Sequence, residues 1–448
     1  MVNPVRNSIA AILLLATSLL SSAANAQDVS AEVAELRQMM TDMRSDYERR
    51  ISELEARLDT AERDSRGARR DAGEAIELAE QTAIDQSSGS SSPNTFNPAL
   101  GLVLNGGFAD VDNGWVEIPG FQPAGEIGSG ESGFSPGELE VNMNANIDAR
   151  FFGNATFALA DADGEVEVEL EEAWLQTTAL PHGLSIMGGR FFSEAGYLNA
   201  FHLHADDFVD RPLPYQAFYG GRYTVDGVQA RWLAPTSLLF EVGTELNWGG
   251  GFPATANSET SPGAWTVFAK TGGDIGYSNS WQAGISHVAT DAIERAGGDT
   301  PELFTGDSDL TVVDFVWKWA PQGNATVRSF KLQGEYFKRS ENGTFDGLDY
   351  DGDQDGWYLQ GVYQFAPLWR AGVRYDLVDS DNGPGLEGTG LEDSGRSSTR
   401  SSIMLDWSPS EFSRLRLQYT NDRVLPESDT QWYLQYIMSI GAHGVHRF

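Results

Sequence analysis

The stretch Glu138–Asp148, ELEVNMNANID, places a polar side chain at every even position and an apolar one at every odd position. A helix, with 3.6 residues per turn, would scatter the two kinds around its axis. A strand sorts them, with Glu138, Glu140, Asn142, Asn144, Asn146 and Asp148 on one face. One side of this element meets water and the other meets an apolar phase. Arg414, Arg416 and Gln418 alternate in the same way with Leu415, Leu417 and Tyr419, and so do Glu241, Glu245 and Asn247 with Phe240, Val242, Leu246 and Trp248.

Extending that reading gives about sixteen strands, beginning near 98, 136, 151, 167, 183, 223, 238, 263, 278, 308, 327, 356, 369, 398, 413 and 430, each boundary within roughly two to four residues. Their connections alternate in length. Short ones such as APTS (234–237), APQGNAT (320–326), AP (366–367) and PSEF (409–412) take turns with longer ones rich in Gly, Asp and Ser. The short turns share a chemistry: Trp232-Leu233-Ala234-Pro235, Trp319-Ala320-Pro321, Phe365-Ala366-Pro367 and Trp407-Ser408-Pro409. An aromatic ring suits a membrane interface, and the following proline, lacking an N–H, ends the ladder. A soluble β-sandwich would not explain why long and short connections take turns. The expected fold is all-β, a transmembrane antiparallel barrel with short turns at one end and long loops at the other.

Composition agrees. After the first residues no window approaches eighteen consecutive apolar positions, so helical spans are excluded. The 448 residues include no cysteine, which excludes thiol chemistry and disulfide staples. A formal charge of -35, from 65 Asp plus Glu against 30 Lys plus Arg, argues against nucleic acid as a partner. It also raises the local concentration of cations. No Ser/His/Asp set, paired carboxylates or phosphate loop can be argued, so no catalytic residue is assigned.

Ahead of the barrel, Arg6, the apolar run Ile9–Leu20 and Ala24-Asn25-Ala26 read as an export signal over 1–26. Residues 27–84 carry a narrow apolar stripe, Val33, Leu36, Met40, Met43, Tyr47, Ile51, Leu54, Leu58 and Ala61, which is a coiled-coil seam with one stutter and implies self-association on the periplasmic side. A Ser/Gly linker follows at 85–96, and the barrel occupies 97–448.

The segment ELEEAWLQTTALPHGLSIMGGRFFSEAG, Glu169–Gly196, resembles a strand–turn–strand stretch of bacterial outer-membrane porins of the phosphate-selective porin O and P type, through Glu171, Glu172, Trp174, Gly189, Arg190 and Phe191. The terminal Phe448 resembles the carboxyl-terminal aromatic of barrel proteins. The resemblance implies a sixteen-stranded barrel in the outer membrane of a Gram-negative bacterium. It also implies a homotrimer surrounded by outer-membrane lipid, passing small hydrophilic solutes, with the third external loop folded inward. Phosphate selectivity is not carried over, because the inward-facing charges have both signs: Glu138, Glu140, Asp148, Glu241, Glu245, Asp314 and Glu335 beside Arg231, Lys318, Lys331, Arg370, Arg374, Arg414 and Arg416. Opposed signs make a transverse field rather than an anion filter. Two other roles compete with diffusion: a receptor-type barrel capturing a metal complex or siderophore, and a structural tether between envelope layers.

The third loop, Glu194–Gly221, contains FHLHADD. In an extended chain His202, His204 and Asp206 share a face and Asp207 lies opposite, with Asp210 nearby. Two imidazoles and a carboxylate suit Zn²⁺ or a similar divalent ion, bound transiently; the alternatives are a polar constriction without metal and a structural clasp. Any such preference should weaken as pH falls through about 6.5, where free imidazole takes a proton. His443 and His446, three apart in a strand, face opposite sides and share no site. Asp351, Asp353 and Asp355 match the first half of a calcium loop, although position twelve is Val362 instead of a carboxylate; this cluster is assigned to a long external loop.

Overall fold

A computed structural model describes residues 98–114, 117–122, 130, 132–162, 165–255, 261–297 and 302–441. The export signal, the coiled coil, the linker, His443, His446 and Phe448 lie outside the described residues. Sixteen strands form one closed antiparallel barrel. They are β1 (Ala99–Val111), β2 (Gly133–Asn146), β3 (Phe151–Ala162), β4 (Glu165–Thr177), β5 (Leu184–Phe192), β6 (Thr224–Leu233), β7 (Leu239–Asn247) and β8 (Ala264–Ile275), followed by β9 (Asn279–Ala296), β10 (Leu303–Trp319), β11 (Ser329–Phe345), β12 (Leu348–Ala366), β13 (Trp369–Asp381), β14 (Ser398–Ser410), β15 (Ser413–Arg423) and β16 (Asp429–Gly441). The chain closes on itself where β1 pairs with β16, Gly101 opposite Gly441. Closure removes every sheet edge, and that is the requirement in lipid, where an unpaired backbone N–H or C=O costs several kcal/mol.

The period-two pattern decides which face is which. On β15, Leu415 and Leu417 are 40% and 45% exposed while Arg416 and Gln418 between them are fully buried, so the apolar side faces outward and the polar side faces the lumen. The same inversion of a soluble protein's pattern holds at Ile403, Val373 and Leu434 on the outside. The aromatics before the short turns lie on this outer face, with Trp369 stacked on Trp407 across the β13–β14 pair at 6.1 Å. Among the described residues no helix is long and apolar enough to cross a membrane; the strands do the crossing.

Two expectations need correction. β10 and β12 begin at Leu303 and Leu348, well before the expected 308 and 356, and β11 reaches β12 through a tight turn at Asp346-Gly347, both at positive φ, rather than through a long loop. These strands continue beyond the apolar band, where the outer face carries Asp351 and Asp353 instead of apolar residues while Tyr350 and Gln354 stay buried on the inner face, so the polar–apolar alternation of the sequence vanishes. The loop placement of the calcium half-motif is corrected with it. Asp351, Asp353 and Asp355 lie in β12, spaced by two along an extended strand and turned outward, so the chain does not wrap around an ion there. Asp148 also leaves the lumen set: it caps the β2–β3 turn, its Oδ1 accepting the N–H groups of Arg150 and Phe151 at 2.6 and 2.9 Å.

Candidate pore constriction and cation site

The connection between β5 and β6 turns into the barrel instead of away from it, because inward side chains of the wall supply hydrogen-bond partners that bulk water would otherwise provide. The Glu245 carboxylate accepts the Ser193 hydroxyl at 2.6 Å and the Glu194 N–H at 2.9 Å. Farther along, the Glu335 carboxylate accepts the N–H groups of Tyr197 and Leu198, both at 2.9 Å, and the hydroxyls of Tyr215 and Tyr358 at 3.0 and 2.6 Å. Such a buried carboxylate is tolerable only because so many donors converge on it. The loop then forms a short helix α1 (Leu213–Tyr219), entered through Pro212 and Pro214 and ended by Gly220 at φ 63, where a left-handed residue satisfies the last carbonyls. Every residue of α1 is buried. Its Tyr215, Phe218 and Tyr219 rings pack on Phe337 of β11 at centroid distances of 5.2, 5.5 and 5.7 Å.

Between these anchors the loop crosses the lumen and meets walls of opposite sign. On one side Asp207 is bound by Lys331 at 2.5 Å and Arg370 at 3.0 Å, and Asp210 by Arg374 at 2.7 Å, Arg400 at 2.9 Å and the Gln418 amide at 2.6 Å. Asp406 of β14 ties Arg370 to Arg416 within that wall, and Arg416 donates to the Asp206 carbonyl at 2.8 Å. Arg414 stands 3.9 Å from Asp406. Near the loop's start Glu194 pairs with Lys270 and with Arg231, which also faces Glu241 at 3.9 Å.

Across the lumen the histidines meet carboxylates of β2 and β4. His202 Nδ1 lies 3.1 Å from Glu171 Oε2 and 3.2 Å from Glu140 Oε2, and its Nε2 lies 3.0 Å from Glu172 Oε2. His204 Nδ1 lies 3.0 Å from the same Glu140 oxygen, and the two imidazoles stack at 5.7 Å. Arg222 holds the other oxygen of Glu171 at 2.5 Å and lies over the Phe192 ring.

The sequence set is therefore divided. The histidines share a direction, but Asp206 does not continue their face: it bonds Arg211 Nε at 2.8 Å. The reason is local, since Leu203–Ala205 forms a 3-10 turn and an extended period of two does not apply across it. Glu140 joins His202 and His204; Asp206, Asp207 and Asp210 join basic partners. Glu138, Glu241, Arg231, Lys331, Arg374, Arg414 and Arg416 all lie on inward strand positions, as their spacing predicts. Arg400 and Asp406 were missed, although each sits on an inward position of an alternating strand. Glu171 and Glu172 were read only as motif residues.

Charge follows the same division. Burial pulls His202 toward the neutral form, but hydrogen bonds to Glu140, Glu171 and Glu172 outweigh it and hold the imidazole well above its usual range. The expected midpoint near free imidazole is thus moved upward. Burial raises Asp207, yet Lys331 and Arg370 bring it below the ordinary carboxylate range, and Arg374 and Arg400 do the same for Asp210.

No family model matches the chain. It is 29% identical over 392 residues to an uncharacterized protein of Aquifex aeolicus (strain VF5), covering 80% of this chain and 81% of that one. Among solved structures it resembles the outer membrane channel DcaP of Acinetobacter baumannii, with a TM-score of 0.52 at 13% identity, covering 79% of this chain and 99% of that one. It also resembles an anion-selective porin from Comamonas acidovorans, with a TM-score of 0.50 at 10% identity over 77% of this chain and 100% of the other. The shared feature is the fold. A closed sixteen-stranded barrel with an apolar exterior and a polar lumen is the fold this chain shares with these outer-membrane channels.

Proposed function

We propose that the protein is a porin that passes small hydrophilic solutes, and that its third loop makes the passage favour divalent cations such as Zn²⁺. One observation carries this reading: the loop spans the lumen between a wall where acidic and basic groups are paired one against another and a wall where Glu140, Glu171 and Glu172 converge on two imidazoles. A polar solute crossing between them is oriented by the field, and a cation finds excess negative charge on one side only. Release is as necessary as binding, which suits a partial ligand set. Trimeric assembly belongs to the same reading. Its support is a shallow apolar groove of about 620 Å³ around Met143, Ile147, Gly153, Ala155, Ala173 and Leu175 on β2–β4, where small side chains leave room for a neighbouring barrel.

The test is single-channel recording of the full chain in a planar bilayer under a salt gradient. Open steps in groups of three with a reversal potential of cation-selective sign are expected. Absence of conductance at any voltage would overturn the porin reading in favour of a receptor or tether, and anion selectivity would overturn the cation preference.

A further inference from the structure

We infer that Glu140, Glu171 and His202 form a coordination site for one divalent transition-metal cation, which pins the third loop to the β2–β4 wall. The inference deepens the cation preference proposed above and rests on it. Each residue offers one ligand atom, and these atoms all lie within 4.8 Å of one another. The edges from His202 Nδ1 to the two carboxylate oxygens, 3.1 and 3.2 Å, are close to the edge of about 3.3 Å that a tetrahedron with metal–ligand bonds of about 2.0 Å requires.

A second feature separates this cluster from an ordinary polar contact. Glu140 is 5% exposed, and its Oε2 lies between the two imidazoles, 3.2 Å from His202 Nδ1 and 3.0 Å from His204 Nδ1. A buried carboxylate is tolerable only beside positive charge, and here that charge is an imidazolium proton that a cation can replace. His202 is also set up as a ligand. Its Nε2 faces Glu172 at 3.0 Å, and Glu172 is held in turn by the Trp174 indole N–H at 3.0 Å. A carboxylate behind the ligating imidazole fixes the ring and strengthens its donor nitrogen. On binding, the cation replaces the proton at Nδ1, which leaves to solvent, while the Nε2 proton stays on the ring and is donated to Glu172.

Arg222 occupies the far oxygen of Glu171 and so leaves Oε2 for the ion. His204 Nδ1 reaches Glu140 Oε2 rather than the centre of the set, which keeps the protein ligands at three and coordination positions open to water or a passing solute. A cavity of about 480 Å³, lined in part by Glu138, Glu171, Leu203 and Arg222, gives access from the loop end. Imidazole among carboxylates selects Zn²⁺, Co²⁺ or Ni²⁺ over Mg²⁺ and Ca²⁺.

The test is calorimetric titration of the detergent-purified full chain with Zn²⁺ alone, alongside bilayer conductance of the same preparation and X-ray absorption at the zinc edge. One site per chain with mixed nitrogen and oxygen ligands is expected, together with a Zn²⁺-dependent reduction of conductance. Glu140→Gln/His202→Gln should weaken binding at least 100-fold, and Glu172→Gln should weaken it by about 10- to 100-fold without removing a ligand. Heat-resistant migration of Glu172→Gln checks that its fold is kept, so the proposal stays open to refutation if the double variant fails to assemble. A conducting protein that shows no saturable Zn²⁺ binding, or equal affinity in parent and variants, overturns the site while leaving the porin reading in place. Absence of conductance with saturable, variant-sensitive binding overturns the porin reading and supports the site.

Discussion

The third loop docks on two walls by different means. On β11–β15 each acidic group of the loop meets basic groups: Asp207 meets Lys331 and Arg370, and Asp210 meets Arg374 and Arg400. On β2 and β4 three carboxylates meet two imidazoles and Arg222, with Glu140 Oε2 between both rings. The first side is an interlock whose charges compensate, and it fixes position. The second gathers carboxylates around imidazoles whose protons a cation can replace, and is able to take a ligand. One loop thus supplies both rigidity and chemistry, and the two can be perturbed separately.

The largest effect is expected from breaking the interlock. Asp210→Ala leaves Arg374 and Arg400 buried with only Asp376 and Asp422, and removing one partner of a buried pair costs about 3–5 kcal/mol. The loop should release from that wall, with single-channel conductance rising and the barrel itself remaining heat-resistant. Unchanged conductance would show that the ion pairs do not hold the loop.

A smaller effect is expected at the junction of the two sides. Glu335→Gln keeps an acceptor for some of the four donors at that carboxylate but not all, a loss of about 1–3 kcal/mol. Increased channel noise without a change in mean conductance, read from open-state current fluctuations, is the expected signature.

pH should separate the walls by sign. Asp207 and Asp210 are depressed, so their contribution is present above the unfolded value of about 3.9 and is lost as pH falls through the lower folded values. His202 is raised, so its contribution is complete below about 6.5 and is lost as pH rises through the higher folded value. Metal-free conductance should therefore be flat near neutrality and rise at both extremes. His202→Gln should abolish the alkaline rise alone; loss of the acid rise in that variant would break the distinction.

The smallest effect is expected outside both walls. Asp353→Asn, on the outer face of β12, should change stability by no more than about 0.5 kcal/mol and leave any calcium response of the channel unaltered, as melting and conductance with added Ca²⁺ will show.

Much of this molecule is legible in its sequence, because the direction of a strand side chain is a local property. Alternation alone assigns Glu140, Arg374 and Arg416 to the lumen and Leu415 to the lipid, and the aromatic–proline pairs locate the turns. Alternation fails where its cause does: beyond the apolar band, where the outer face of β12 is acidic rather than apolar, and in the 3-10 turn that swings Asp206 away from the histidines. Which charges meet is decided by closure of the barrel. His202 reaches Glu171 across 31 positions of chain, Asp207 reaches Arg370 across 163, and Arg416 reaches the Asp206 carbonyl across 210. Those distances in sequence collapse only when β1 and β16 pair and the wall surrounds the loop, so tertiary structure alone turned a run of ligand-type residues into one interlocked side and one coordinating side.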